Sequence, residues 1–300
     1  MKILLLGSDG QVGWKLGASL APLGQLFAPG RHEADLENLE SIRRVVRHCH
    51  PALIVNAAAY TAVDQAESEP ESAFRCNAEA PALLAAEAKR LDALLVHYST
   101  DYVFDGTKTD PYAEEDQPNP LNVYGQSKLA GDEAIIQTAC RHLIFRTSWV
   151  FSDRGHNFAR TILRLAQERE ELTVVADQFG APTSAELLAE GTALALYHIM
   201  HHPEGSRSMG LYNLAAAGET NWRDYAVYLT EKASEMGWDI KAGSEKIKPL
   251  ATIDFPRPAL RPSNSRLSTV KFQNTFGLIP PHWSYHVDRA LNIWSDFLPG

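Results

Sequence analysis

Cysteine is scarce in this chain: three residues in 300, Cys49, Cys76 and Cys140, widely spaced and without a CxxC pair. That scarcity excludes a disulfide framework, offers no zinc-ligand spacing and suits a reducing cytoplasm. Long apolar runs are also missing. Ile3 to Leu6 is cut off by Gly7, Ser8 and Asp9, too short for a secretion signal or a membrane span, and is expected to be a buried strand. Basic residues are outnumbered: the formal net charge is -9 with no basic tract to offset it. This argues against nucleic acid as a partner and leaves room for an anionic small molecule held by a few arginines. Neither internal repeats nor low-complexity tracts occur, and a hydrophobic content of 45% suffices for one large core or two unequal ones.

What is present is alternation. Short apolar runs at Lys2–Leu6, Leu26–Ala28, Leu53–Asn56, Leu94–Ser99 and Leu143–Arg146 are separated by helix-like segments. Among these are Leu39–His48, behind a capping Asn38, and the alanine-rich Ala78–Arg90. The pattern predicts an α/β fold with a parallel sheet, doubly wound in the Rossmann manner if its crossovers are right-handed. Beyond Trp149 the rhythm changes. Asn157–Glu170 and Ala185–Met200 read as helices, Leu172–Ala176 as a strand, and prolines cluster in Pro249–Pro262 and at Pro280-Pro281. Loops wrapping a smaller C-terminal α/β substrate-binding domain are expected there. The expected division gives residues 1–170, with a return segment near 185–218, to the dinucleotide-binding domain, and residues 171–184 and 219–300 to the other.

Gly7-Ser8-Asp9-Gly10-Gln11-Val12-Gly13 follows the first strand and opens a helix-like segment. A pyrophosphate needs a tight turn, close backbone approach and free amides at a helix N-terminus, and Gly7, Gly10, Gln11, Val12 and Gly13 are placed to supply them. The GxxGxxG spacing resembles the loop of short-chain dehydrogenases. After the second strand the sequence reads Gly30-Arg31-His32. An arginine there can hold a ribose 2′-phosphate, which points to NADPH with NADH as the alternative. Asp35 and Leu36 are expected to border the adenine, and the small residues Ala57, Ala58 and Ala59 to let the cofactor pass close to backbone.

Tyr124-Gly125-Gln126-Ser127-Lys128 sets a tyrosine and a lysine on one helical face. A phenol with a reference pKa of about 10 is a poor proton shuttle at neutral pH, and an adjacent ammonium is expected to bring it into range. Lys128 can also hold the nicotinamide ribose. The motif occurs twice, because Tyr228 and Lys232 match it too. Context separates them: Thr100, at the carboxyl end of the Leu94–Ser99 strand, gives Tyr124 a partner where open α/β sheets carry ligands. Adjacent strand residues face opposite ways, so Thr100, rather than Ser99, is expected to orient the carbonyl.

Seven segments together resemble the dTDP-4-dehydrorhamnose reductase family: GSDGQVG, VNAAAYTAVDQAESEP, YSTDYVFDG, PLNVYGQSKLAGD, RTSWVF, DQFGAPT and RPSNSRL, running nearly end to end. The resemblance implies stereospecific reduction of the 4-keto group of dTDP-4-dehydro-β-L-rhamnose by NADPH or NADH. In it Tyr124 is the proton donor, and Lys128 and Thr100 are in support. It further implies Tyr98 on the cofactor side, Asp101 and Trp149 at the sugar, and Arg261, Asn264 and Arg266 at the nucleotide diphosphate. Some members dimerise through magnesium held by glutamates. Here Lys15 and the run Leu291-Asn292-Ile293 offer no such ligands, so no essential metal is expected and a homodimer stays open. His198, His201 and His202 read as a solvated helix end. A nucleotide-sugar epimerase or dehydratase would share Tyr, Lys and cofactor, although Thr100 is followed by Asp101-Tyr102 rather than by the acid pair of a dehydratase. A non-catalytic binding subunit, like the regulatory partner of methionine adenosyltransferase, would share the fold.

Overall fold

The computed structural model describes residues 1–295; the expected second domain runs on to residue 300, and its last five positions lie outside the described residues. The central sheet has six strands, all parallel. These are β1 (Lys2–Leu6), β2 (Gln25–Phe27), β3 (Leu53–Asn56), β4 (Leu94–Thr100), β5 (His142–Thr147) and an edge strand at Gly210–Asn213. From that edge the order is Gly210–Asn213, β5, β4, β3, β1, β2. The chain leaves β1 for β2 on one side and returns to β3 on the other, so a crevice opens at the carboxyl ends of β1 and β3.

The sheet forms because its four inner strands are buried on both faces, as a parallel sheet covered by helices requires. Along β1, Ile3 and Leu5 pack with Leu16, Leu20, Leu188 and Leu196, on the helices Gln11–Leu20 and Ala185–His201. Leu4 and Leu6 face the other way, against Ile42, Val46, Leu84 and Ile135. Each fully buried Ile or Leu contributes roughly 1.5–3 kcal/mol, so β1 alone anchors both layers. The helix Ala80–Leu91 is preceded by a wide π turn at Arg75–Glu79, which periodicity does not reveal.

A second, smaller core gathers Phe151, Leu163, Leu172, Tyr225, Ile247 and Trp283. It departs from the expected division in two ways. The helix Phe158–Glu168, assigned above to the first domain, packs in this smaller core. Phe272 and Phe276, assigned above to the second, insert into the large one. The tail is also more regular than its prolines suggest, with helices at Trp222–Glu235, Val270–Phe276 and Trp283–Ser295. Among the described residues no helix is long and apolar enough to cross a membrane.

Candidate active site

A cleft of about 880 Å³ lies along the carboxyl edge of the sheet, between the two cores. Gly7, Gly10, Gln11 and Val12 form one end. Gly7 has φ +77°, and a Cβ there would meet Ala58 N at 2.6 Å. Gly13 lies behind the loop, where a Cβ would meet the Gly7 carbonyl oxygen at 2.0 Å; only glycine lets helix and turn approach this closely. The helix Gln11–Leu20 starts at Gly10 with no side-chain cap and no acid in its first turn, so its free amides present positive potential to the cleft. Arg31, Asp35, Leu36 and Ala57 to Ala59 continue the wall. The Arg31 side chain is 77% exposed and only loosely paired, 3.6 Å from Asp35 Oδ1 and 3.9 Å from Glu37 Oε2. These features fit a dinucleotide: amides for its pyrophosphate, and a cation and two carboxylates near its adenosine ribose.

The opposite wall is the helix Val123–Thr138, started by Asn122, whose Oδ1 accepts the Gly125 N–H at 2.8 Å. Buried Asn77, on the π turn, fixes this helix to the loop after β3. It accepts the Tyr60 N–H at 2.9 Å and donates to Tyr60 O and Ser127 Oγ, each at 3.0 Å. Sequence reasoning missed Asn77, because its role depends on a turn that the pattern conceals. Tyr124 meets Tyr102 edge to face at 5.8 Å, with the Thr100 hydroxyl beside its phenol. Burial pushes that phenol up to about 12; Thr100 pulls it down, and the Asp101 and Asp132 carboxylates add to the rise.

The expected lowering of Tyr124 by the Lys128 ammonium is not what the geometry provides. Lys128 Nζ is committed to β4, donating to the Tyr98 carbonyl at 2.5 Å and lying 3.2 Å from His97 Nε2. Burial lowers it to about 8, against the pull of Asp132. Tyr124 is thus a neutral acid, charged with the proton that a reduction consumes. Ser99 is committed elsewhere, since its hydroxyl donates to Asp132 Oδ2 at 2.8 Å and Arg146 Nε donates to the same oxygen at 3.3 Å. Asp101 is buried, accepts from Thr100 Oγ1 at 3.1 Å and leaves Oδ2 without a partner. Burial pushes its carboxyl up to about 7, while Ser265 and Thr100 hold it down.

Trp149 closes the far end. It sits in the left-handed region at φ +48° and stacks on Trp222 of the smaller domain, with ring centroids 3.5 Å apart. Trp222 Nε1 donates to Gln178 Oε1 at 3.2 Å, and both tryptophans line the cleft. Trp222 was not foreseen, because a contact between two distant chain segments leaves no local pattern. Arg261, Asn264 and Arg266 do not line the cleft. Arg261 Nη1 donates to Asp64 Oδ1 at 2.5 Å and Ala259 O at 2.6 Å. Asn264 Nδ2 holds the carbonyls of Lys108 and Asp110, and its Oδ1 accepts Arg266 Nε at 2.8 Å. Arg266 also pairs with Glu219 at 2.5 Å. Asn264 and Arg266 spend their polar groups on pinning one segment of chain.

The family model described as the RmlD substrate binding domain matches residues 1–295. This chain belongs to the RmlD family. It is 50% identical over 296 residues to the dTDP-4-dehydrorhamnose reductase of Escherichia coli K12, covering 97% of each chain. The crystal structure of a dTDP-4-dehydrorhamnose reductase from Clostridium acetobutylicum has a TM-score of 0.89 at 32% identity, covering 98% of this chain and 100% of that one. The enzyme from Bacillus anthracis, solved in complex with NADP, gives 0.84 at 30% identity, covering 97% of each.

In this RmlD-family chain Lys15 is half-buried, and its amine pairs with Asp153 at 3.0 Å. Glu186 lies nearby, between His286 at 3.5 Å and Arg289 at 2.9 Å. Each cation in this corner already faces a carboxylate of the same chain.

Proposed function

We propose that the chain reduces the 4-keto group of dTDP-4-dehydro-β-L-rhamnose to give dTDP-L-rhamnose, with NADPH or NADH as reductant. The observation that carries this reading is a neutral Tyr124 phenol beside Thr100, in the same cleft as Lys128 and an uncapped glycine loop. The near end-to-end likeness to reductases of that name supports it. When bound, the cofactor supplies a hydride to the keto carbon. Tyr124 gives its proton to the carbonyl oxygen, Thr100 orients that oxygen, and Lys128 holds the ribose. The free Oδ2 of Asp101 takes a sugar hydroxyl, and Trp149 and Trp222 wall off water from the sugar. Arg31 turns from its loose carboxylate partners to a 2′-phosphate when NADPH is bound. Of the three arginine-segment residues, Arg261 sits at the rim against Tyr102 and reaches the diphosphate, while Asn264 and Arg266 hold its segment. We place the enzyme in the cytoplasm; gel filtration reads whether it forms a homodimer.

The test is loss of absorbance at 340 nm when the protein meets NADPH or NADH and freshly made dTDP-4-dehydrorhamnose, with and without chelator. Oxidation that requires the sugar is the expected result. Cofactor binding without oxidation would overturn the reductase and favour an epimerase or a silent binding subunit.

A further inference from the structure

Beneath Lys128 lies a polar chain that the reaction as described does not use. Asn56, at the end of β3, and His97, on β4, are register partners in the sheet, 1% exposed each. Asn56 Nδ2 lies 3.2 Å from His97 Nδ1, and His97 Nε2 lies 3.2 Å from Lys128 Nζ. The backbone N–H of Ala58, which can only donate, points at Asn56 Oδ1 at 3.3 Å. That contact fixes the amide: the oxygen faces Ala58, so the NH₂ faces the ring, and Nδ1 must accept. Burial holds the imidazole neutral, its pKa well below the usual value and lowered further by Lys128. A neutral ring has one proton, which therefore sits on Nε2, aimed at the lysine nitrogen.

We propose that Asn56 and His97 form a buried relay that sets whether Lys128 is an amine or an ammonium. A neutral amine satisfies every contact: one N–H to Tyr98 O, the lone pair accepting from His97 Nε2–H, and one N–H free towards the cleft. An ammonium places a third N–H against Nε2–H. To relieve that clash the ring must carry its proton on Nδ1 instead, and the Asn56 amide must turn over, giving up Ala58. Protonation of Lys128 is thereby coupled to the loop whose Ala58 backbone lines the cofactor end of the cleft. The other charged groups around Lys128 are Asp132, one helical turn on, and Arg146 of β5, which pairs with Asp132 at 3.3 Å. Tyr124, on the same helix, and Asp101 line the same cleft as Lys128, and the Asp101 carboxylate acts on the Tyr124 phenol. Asp132 favours the ammonium, so the relay and Asp132 oppose each other. His97 and Asn56 are positioning residues, acting through Lys128.

This inference rests on the reading of Lys128 as a catalytic residue, but its first test does not. Nitrogen-15 NMR of histidine-labelled, cofactor-free protein at pH 9 should show His97 protonated at Nε2 and bare at Nδ1; a proton on Nδ1 would overturn the relay. The second test is Asn56→Asp. A carboxylate accepts from Ala58 N–H and from Nδ1–H together, reversing the ring and leaving Nε2 to accept from an ammonium. The Lys128 titration, followed by the carbon-13 resonance of Cε, should then rise from about 8 by about one unit. The basic limb of the kcat/KM pH profile should rise with it. An unchanged Lys128 titration in a folded Asn56→Asp variant would sink the proposal even if the enzyme is a reductase. Failure of the reductase assay would leave both NMR results standing.

Discussion

Two tyrosine-lysine pairs share one spacing and a helical setting, yet their surroundings differ in kind. Tyr228 donates to Asp288 at 2.6 Å and packs against Trp283 in the smaller core, while Lys232 pairs with Glu235 at 2.7 Å in solvent. Burial pushes the phenols of Tyr228 and Tyr124 up to about 12 alike, so acidity does not distinguish the pairs. The lysines do. Lys128 is 2% exposed and held by a carbonyl and an imidazole at a sheet edge, whereas Lys232 is raised by its carboxylate neighbour. A tyrosine becomes a useful acid where a strand end, a buried cation and open space for a carbonyl coincide.

The sharpest way to break this comparison is to remove one phenol at a time. Tyr124→Phe should lower kcat by roughly 10²–10⁴-fold while cofactor affinity, read by fluorescence titration, stays within about twofold. Full turnover in that variant would mean that Tyr228, or no tyrosine, is the acid.

Exchanging the lysines gives the next largest difference. Lys128→Met should lower kcat by on the order of 10²-fold and alter stability in a pH-dependent way, while Lys232→Met should do neither. The folded-state pKa of Lys128, about 8, lies below its ordinary 10.5. Burial therefore costs stability in full below pH 8, and the cost fades as pH rises from about 8 to 10.5. The wild type should gain on the order of 3 kcal/mol relative to Lys128→Met across that window, as read by urea unfolding at pH 7 and pH 10. A parallel response in both proteins would show that the lysine is solvated.

A smaller effect separates the phenols by their neighbours. The Asp101 carboxylate opposes ionisation of Tyr124 and titrates near 7. Proton donation leaves a phenolate, which an anion at Asp101 disfavours, so kcat/KM should fall about three- to tenfold as pH rises from 6 to 8. Asp101→Asn should flatten that slope, and a slope unchanged in the variant would assign it to another group.

Much of this was legible from the chain alone. β1, β3 and β4 are buried on both faces and therefore read as unbroken apolar runs, and Gly7 to Gly13 lies between a strand and a helix where only one kind of turn fits. The edge strand Gly210–Asn213 was not legible, because it is short, starts on glycine and is apolar at only two positions. Nor was the direction of Lys128: helical spacing places its Cα, but the Tyr98 carbonyl and His97 decide where Nζ points. The same holds for Trp222 and Asn77, whose partners are brought by tertiary contact, and for Arg261 and Arg266. Their side chains suit phosphate, yet they found carboxylates within the chain.

The smallest expected effect tests the structural half of the comparison. Tyr228→Phe removes one hydrogen bond to Asp288 and keeps the ring against Trp283, so unfolding should cost less by about 1 kcal/mol and kcat should not change. The asymmetry with Tyr124→Phe is what matters. At position 124 the hydroxyl faces a cleft and its loss is felt in rate; at position 228 it joins the helices Trp222–Glu235 and Trp283–Ser295, and its loss is felt in stability. A Tyr228→Phe variant slow in turnover and unaltered in unfolding would show that the Tyr228 hydroxyl acts on the reaction through the aromatic rings that join Trp283 to Trp222 at the cleft, rather than as a tie between helices.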